Sequence, residues 1–167
     1  AIIKKGSLFD LKLSGSTINF KREENLSKIK FLIHTNGKIN FSQVKKISSL
    51  LGLKTNFFKN VNGAADLKTN IDLDLDKGFK INNLSYSMEG NISSLELHTE
   101  EKSIIRKYLP LYDPIITLKD TDIKFTKSKF DQILELNGLI KLNDLFDSFK
   151  IKNKYNYSEK SFDIKGT

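Results

Sequence analysis

Apolar and polar residues alternate along most of the chain, a pattern typical of strands with one covered face and one solvated face. The least interrupted run covers residues 62–78, and its apolar positions are Ala65, Leu67, Thr69, Ile71, Leu73 and Leu75. The positions between them are Asp66, Lys68, Asn70, Asp72, Asp74 and Asp76. Residues 64–76 would extend about 40 Å at roughly 3.3 Å per residue, which is long for a strand.

The same period-two pattern recurs through the rest of the chain, so we predict a mainly β fold with long antiparallel strands. The shorter runs are residues 9–13, 18–20, 29–33, 39–41, 79–81, 84–88, 95–97, 116–118, 123–125, 134–142, 149–151, 155–157 and 162–164. Glycine-containing triplets such as "SGS", "TNG" and "VNG", and the pairs "KG" and "EG", predict turns between runs. The phase of the alternation slips at Asn82-Asn83, which predicts a β-bulge.

Two stretches depart from the alternation. "SQVKKISSLLG" predicts a short amphipathic helix near residues 42–51, with Ser42 capping its start and Gly52 its end. Its apolar stripe is Val44, Ile47, Leu50 and Leu51. Phe57 and Phe58 are expected to dock this helix on the sheet. "EEKSIIRKYLPLYDP" predicts one more helical turn, because the prolines that follow end it.

Six glycines fall at near-regular intervals, at Gly15, Gly37, Gly63, Gly90, Gly138 and Gly166. The spacing indicates a loose repeat of about 25 residues, interpreted as one hairpin per repeat. Such periods favour a repeat-like open sheet over a closed globule, although ordinary hairpin turns in a sandwich give similar spacing. The apolar face of such strands needs a continuous cover: a second sheet, a closed barrel, or a curved groove filled by lipid.

Composition narrows the class of protein. The 167 residues are 38% hydrophobic and 29% charged, with no apolar run long enough to span a membrane. Neither end has the form of a natural terminus, so we expect residues 1–167 to be one segment of a longer protein, without an internal domain boundary. All but two of the 28 basic residues are lysines, spread along the chain, so the net charge of +8 predicts a solvated face rather than nucleic-acid binding. Attraction to anionic membrane surfaces is the alternative that this charge leaves open.

The sequence contains no complete motif for a catalytic or metal site. An EF-hand loop starting at Asp72 needs glycine and glutamate where this chain has Lys77 and Asn83. His34 and His98 each follow an apolar position and should face solvent without metal partners. There is no cysteine, no GxSxG and no phosphate-binding glycine loop. An acid–base pair of Asp113 and Asp120 has little in its favour, so we predict a non-enzymatic protein without metal or cofactor.

Two stretches, "NGKINFSQVKKISSLLGL" and "VNGAADLKTNIDLDLDKGFKINNLSYSMEGNISSLEL", combine glycine-led amphipathic strands with a short helix. This arrangement resembles the AsmA-like superfamily of Gram-negative bacteria, especially its large YhdP-type members, and "LNGLIKLNDLFDSFKIKNKYNYSEKSFDIKGT" continues in the same style. The resemblance covers most of the chain but rests on pattern rather than on a diagnostic motif.

The resemblance implies a taco-like β-groove in the periplasm, anchored to the inner membrane through a helix outside this segment. It implies transport of phospholipids towards the outer membrane, with possible envelope protein partners and no catalytic residues. The predicted lining of the groove, which would contact acyl chains, is Leu67, Ile71, Leu73, Leu75, Leu84, Tyr86, Leu136, Ile140 and Leu142. The alternatives are a fragment of an outer-membrane β-barrel and a β-sandwich module for binding or adhesion.

Overall fold

The computed structural model describes residues 1–3, 6–8, 11–50, 58–99, 114–159 and 161–166, and these form one sheet and one helix. The first strands are short: β1 (Ile2–Ile3), β2 (Gly6–Leu8), β3 (Leu11–Leu13) and β4 (Ser16–Arg22). Longer strands follow: β5 (Leu26–Asn40), β6 (Phe58–Asp76), β7 (Ile81–Thr99), β8 (Ile115–Lys127), β9 (Asp131–Lys141) and β10 (Phe146–Asn156). The short strand β11 (Ser161–Gly166) comes last.

The strands form a single antiparallel sheet in the order β1-β4-β5-β6-β7-β8-β9-β10-β11, with the β2–β3 pair joined to β5. From β4 onwards each strand pairs with the next in sequence. The sheet is curved and open, and it is not closed into a barrel. The mainly β groove-like fold predicted from the alternation is therefore confirmed. β6 and β7 have 19 residues each and span about 60 Å at roughly 3.3 Å per residue.

The register places the two sets of alternating positions on opposite sides of the sheet. Directly opposed residues share a face, and the apolar positions of β5, β6 and β7 oppose one another, as in Phe31–Ile71–Tyr86. The same row continues the apolar side of β4 through Ile18, which opposes Phe31. We call the side that carries these residues the apolar face. The other side, where Lys30 opposes Asp72, is the charged face.

Several turns predicted at glycines are wrong. "TNG" lies inside β5, "VNG" inside β6 and "EG" inside β7, so Gly37, Gly63 and Gly90 sit within strands. The 25-residue spacing therefore corresponds to one long strand with its turn, not to one hairpin. The turn at "KG" is confirmed, but the turn predicted at "SGS" is wrong. β3 and β4 pair with β5 one after the other in the same direction, so Gly15, with φ 65°, lies at a bend between them. The predicted bulge is also confirmed, since the β6–β7 register shifts between Asp74 and Leu75.

The glycines within strands allow backbones to approach where the sheet bends. A Cβ on Gly138 would lie less than 3.0 Å from the backbone and side chain of Thr121, and one on Gly90 would overlap the carbonyl of Asp66. Register shifts occur nearby, between Ala64 and Ala65 and between Lys119 and Asp122. Bulges increase the local twist and bend the strand, and glycine tolerates the close contact, so these positions account for the curvature.

Helix α1 (Phe41–Leu50) starts one residue earlier than predicted, directly after β5. Its cap is Asn40 rather than Ser42. The Asn40 side chain accepts a hydrogen bond from the Gln43 backbone N–H, and the Gln43 side chain accepts one from the Asn40 backbone N–H. This reciprocal capping box satisfies backbone donors that the first helical turn leaves unpaired, and it buries Gln43. Ser42 is exposed.

The helix packs against β5 and β6 at one end of the sheet, which we call the helix end. The turns β4–β5 and β6–β7 lie at the opposite, turn end. The other predictions for residues 51–57 and 100–113, including the Gly52 cap, the docking by Phe57 and the second helical turn, lie outside the described residues. The same holds for the side chains of Ile47, Leu50 and Phe58.

Candidate functional site

The predicted lining residues lie together on the apolar face. Ile71 opposes Tyr86 and Leu73 opposes Leu84, while Leu136 lies three strands away in the same row as Leu67. Leu142 directly follows β9 and packs in the same cluster as Leu136 and Ile140. The register therefore joins residues from β6, β7 and β9 that are up to 73 positions apart in sequence, from Leu67 to Ile140, into one continuous surface.

This surface has two parts that differ in exposure. At the turn end most of the apolar side chains are half-buried or exposed, and the exposed ones include Phe20 at 62%, Ile81 at 63% and Leu84 at 43%. We define the open region as Phe20, Ile29, Ile71, Leu73, Leu75, Ile81 and Leu84. Within the described part of the chain, strand β4 borders it on one side and β7 on the other.

At the helix end the same face is a packed core. Ile116, Leu118 and Phe149 are each at most 9% exposed. Further apolar residues pack against them, namely Leu95, Leu97, Leu136, Ile140, Leu142 and Ile151. We call this set the packed region. It contains three of the nine predicted lining residues, so the structure divides the predicted lining between a region that holds the sheet together and a region that is open.

Tyr86 lies between the two regions and is 7% exposed. Its ring packs on Phe125 at a centroid distance of 5.6 Å, and the Lys127 ammonium lies 5.7 Å from the Tyr86 ring centre. Burial, with a smaller effect from Tyr157, raises the pKa of Tyr86 to about 12. Lys127 is half-buried and also lies 5.9 Å from the Tyr157 ring. Among the described residues, the apolar face thus carries the charged side chain of Lys127, and also those of Arg22 and Asp147, which lie in the rows of Leu75 and Ile140.

The charged face is a network of paired side chains. Lys152 Nζ lies 2.6 Å from Glu135 Oε1, and Lys30 Nζ lies 3.2 Å from Asp72 Oδ1. The hydrogen bond and charge of Lys152 hold the pKa of Glu135 below its usual range. Asp74 opposes Lys28 across the β5–β6 pair. Asp72 and Asp74 are therefore opposed by cross-strand lysines on a solvated surface, as predicted, whereas Asp66 and Asp76 have other partners.

His34 lies on the charged face, and its Nε2 is 2.6 Å from Asp66 Oδ1. Asn36 donates a hydrogen bond to the other oxygen of Asp66. These hydrogen bonds lower the pKa of Asp66, and the one to His34 has the larger effect. The sequence predicted the solvent-facing side for this histidine, but not its partner 32 residues away. Among the described residues no group of three potential metal ligands comes together.

A cavity of about 800 Å³ lies on the charged face rather than on the apolar one. Its walls are two rows of polar side chains that stand on either side of the row Gly90–Ile123–Leu136–Ile151. Four lysines and four carboxylates line it, so their formal charges cancel. Several of these groups already pair with each other, including Asn91 with Asp122 at 3.1 Å. We interpret this cavity as the space between solvated side chains.

A smaller cavity of about 250 Å³ lies at the turn end, between the β4–β5 and β6–β7 hairpins. Phe20, Ile29, Leu75 and Phe79 are among the residues that line it. Phe20, Ile29 and Ile81 are not among the predicted lining residues. Their alternation was visible, and only the pairing of β4 with β5 and of β7 with β6 shows that they share a face with Leu73.

No protein-family model matches this chain, and the searches of curated proteins and of solved structures also give no match. Within the described ranges, no helix has both the length and the apolar character that crossing a membrane requires.

Proposed function

We propose that the apolar face of this curved sheet binds the acyl chains of lipids and shields them from water, as part of a non-enzymatic lipid conduit. The observation that carries the proposal is the open region: seven apolar side chains on adjacent strands β4–β7 share one face and are half-buried or exposed. Exposed apolar patches of this kind on a soluble surface mark binding sites.

The chemistry of the face suits a flexible chain of methylene groups. Burying an acyl chain gains about 0.8 kcal/mol for each CH₂ removed from water. A conduit requires an apolar lining without specific polar pockets, because tight polar sites would hold the lipid in place. The side chains that define the open region are leucine, isoleucine and phenylalanine, and Arg22 lies at its border in the row of Leu75. The charged pairs lie on the opposite face.

The resemblance to the AsmA-like superfamily adds a cellular location and a cargo to this proposal. On that proposal the chain is one segment of a periplasmic groove, anchored to the inner membrane of a Gram-negative bacterium by a part outside this segment. Phospholipids would then be the cargo, and proteins of the envelope the partners.

A titration with a fluorescent single-chain phospholipid, kept below its micelle concentration, tests acyl-chain binding. Leu73→Asn places a polar amide in the open region and is expected to weaken binding about tenfold, since it removes roughly 1.5 kcal/mol of apolar contact. The matched control is Asp72→Asn, the adjacent residue on the charged face, which should bind like the unmodified protein. Equal losses in both variants, or no binding by the unmodified protein, would contradict the proposal.

A further inference from the structure

The two hairpins at the turn end project beyond the neighbouring strands. β8 ends at Lys127, which opposes Tyr86, whereas β7 begins at Ile81. Residues 81–85 of β7 therefore extend past β8 by about 17 Å at roughly 3.3 Å per residue. The β4–β5 turn reaches the same level, because Leu26 opposes Asp76 at the last position of β6.

The tip of the β6–β7 hairpin holds a phenylalanine in an unfavourable conformation. Phe79 has φ 58° and its side chain is 81% exposed. A bulky residue in the left-handed region is strained, and Gly78 beside it, which would tolerate that region, does not occupy it. An exposed ring contributes little to folding, so neither packing nor backbone geometry explains a phenylalanine here. Strain of this kind is concentrated at functional positions.

Charged side chains surround this ring in a pattern that favours an anionic surface. Lys77 and Lys80 flank Phe79 in sequence, and both are exposed. The nearest carboxylate, Asp76, accepts hydrogen bonds through Oδ1 from the backbone N–H groups of Gly78 and Lys80. On the adjacent hairpin, the Glu23 carboxylate is paired with Lys21 and Lys28. Asp76 and Glu23 thus have local partners, whereas Glu24 in the β4–β5 turn and the two lysines face solvent.

From these observations we propose that the turn end docks on the surface of an anionic lipid bilayer, with Phe79 inserted at the headgroup level and Lys77 and Lys80 on lipid phosphates. Aromatic side chains flanked by lysines are suited to this interface. The exposed Ile81 and Phe20 continue the apolar surface from the tip into the open region. The docked end would therefore be the place where a lipid enters or leaves the groove, and this part of the inference rests on the proposed function.

Vesicle co-sedimentation of the full chain tests the docking. The unmodified protein is expected to bind vesicles of phosphatidylglycerol and phosphatidylcholine, and to bind pure phosphatidylcholine vesicles at least tenfold more weakly. Phe79→Asn should reduce binding to the anionic vesicles about tenfold. Asparagine tolerates the left-handed region, so this variant should keep or raise the melting temperature. Replacing both Lys77 and Lys80 by glutamine should also cost about tenfold at low salt.

The matched control is Leu145→Asn, which removes a similarly exposed side chain (77%) from the β9–β10 turn at the helix end. It should bind vesicles within about twofold of the unmodified protein. The proposal is overturned if Leu145→Asn loses as much binding as Phe79→Asn, or if Phe79→Asn binds normally. It is also overturned if the unmodified protein binds no vesicles, or if Phe79→Asn abolishes self-association instead of vesicle binding.

The lipid titration described above separates the two proposals, because it contains no bilayer. Phe79→Asn should still bind the single-chain phospholipid as the unmodified protein does. Vesicle binding that depends on Phe79, without any acyl-chain binding, would retain the docking and refute the conduit. If the protein binds acyl chains but its vesicle binding does not depend on Phe79, the conduit is retained and the docking is refuted.

Discussion

The packed region and the open region belong to the same face of the same sheet, yet their side chains have different environments. Leu118 in the packed region is 7% exposed, whereas Leu84 in the open region is 43% exposed. Both occupy apolar positions of alternating strands. The difference shows that alternation determines which side of a strand is apolar, while the bending of the sheet and the strands beside it determine whether that side is covered.

The largest contrast is expected between two phenylalanines. Phe149→Ala removes a ring from the packed region and should lower the free energy of unfolding by about 3 kcal/mol, because it leaves a cavity among residues that cannot fully close it. Phe20→Ala removes a ring that is 62% exposed and should cost less than about 1 kcal/mol. Urea denaturation of both variants measures this contrast, and similar losses would show that the two regions pack alike.

A glycine substitution tests whether close strand approach produces the packed region. Gly138→Ala places a methyl group against Thr121, which is fully buried, and should destabilise the protein by about 2 kcal/mol through overpacking. Gly166→Ala is the control, because a Cβ there makes only an ordinary contact at 3.6 Å. Equal melting temperatures for the two variants would refute this explanation of the bend.

An alkaline titration tests the boundary between the regions. The pKa of Tyr86 is raised to about 12, while the unfolded chain ionises near 10, so stability should fall as the pH rises above 10. At pH 11 the expected loss is about 1 kcal/mol. Tyr86→Phe should remove this part of the alkaline dependence. The absorbance change of tyrosinate near pH 12 should also disappear in that variant, and its persistence would contradict burial of Tyr86.

The smallest effect is expected on the charged face. The folded-state pKa of Asp66 is lowered by His34 and Asn36, so its stabilising contribution is present above about pH 4 and is lost as the pH falls through the lowered value. Asp66→Asn should cost well under about 1 kcal/mol at pH 7, because the side chain is 51% exposed and water screens the pair. A larger loss in denaturant titrations would mean that this face contributes to the core.

Much of the fold was predictable from local pattern. The alternation gave the strand faces, the phase slip gave the bulge near Asn82, and the apolar stripe gave the position of the helix. The cap was missed because Ser42 and Asn40 are both good capping residues. Only the reciprocal bond with Gln43, three residues after Asn40, distinguishes them.

The glycines and the site depended on pairing between distant strands. Glycine in a local window favours a turn, whereas Gly90 and Gly138 are needed where a neighbouring backbone approaches, and that contact is non-local. The division of the predicted lining has the same origin. Leu136 and Leu73 have equivalent local patterns, but Leu136 packs beside Ile116 and Phe149, while Leu73 lies near the projecting hairpins.

Site-specific photo-crosslinking tests the central claim most directly. A photo-reactive residue is placed singly at Leu73 and Leu84 in the open region, at Ile140 in the packed region, and at Asp72 on the charged face. After irradiation with phospholipid vesicles, we expect phospholipid adducts at Leu73 and Leu84 and little or none at Ile140 and Asp72. Labelling at Asp72 as strong as that at Leu73 would contradict the claim that the apolar face is where acyl chains bind.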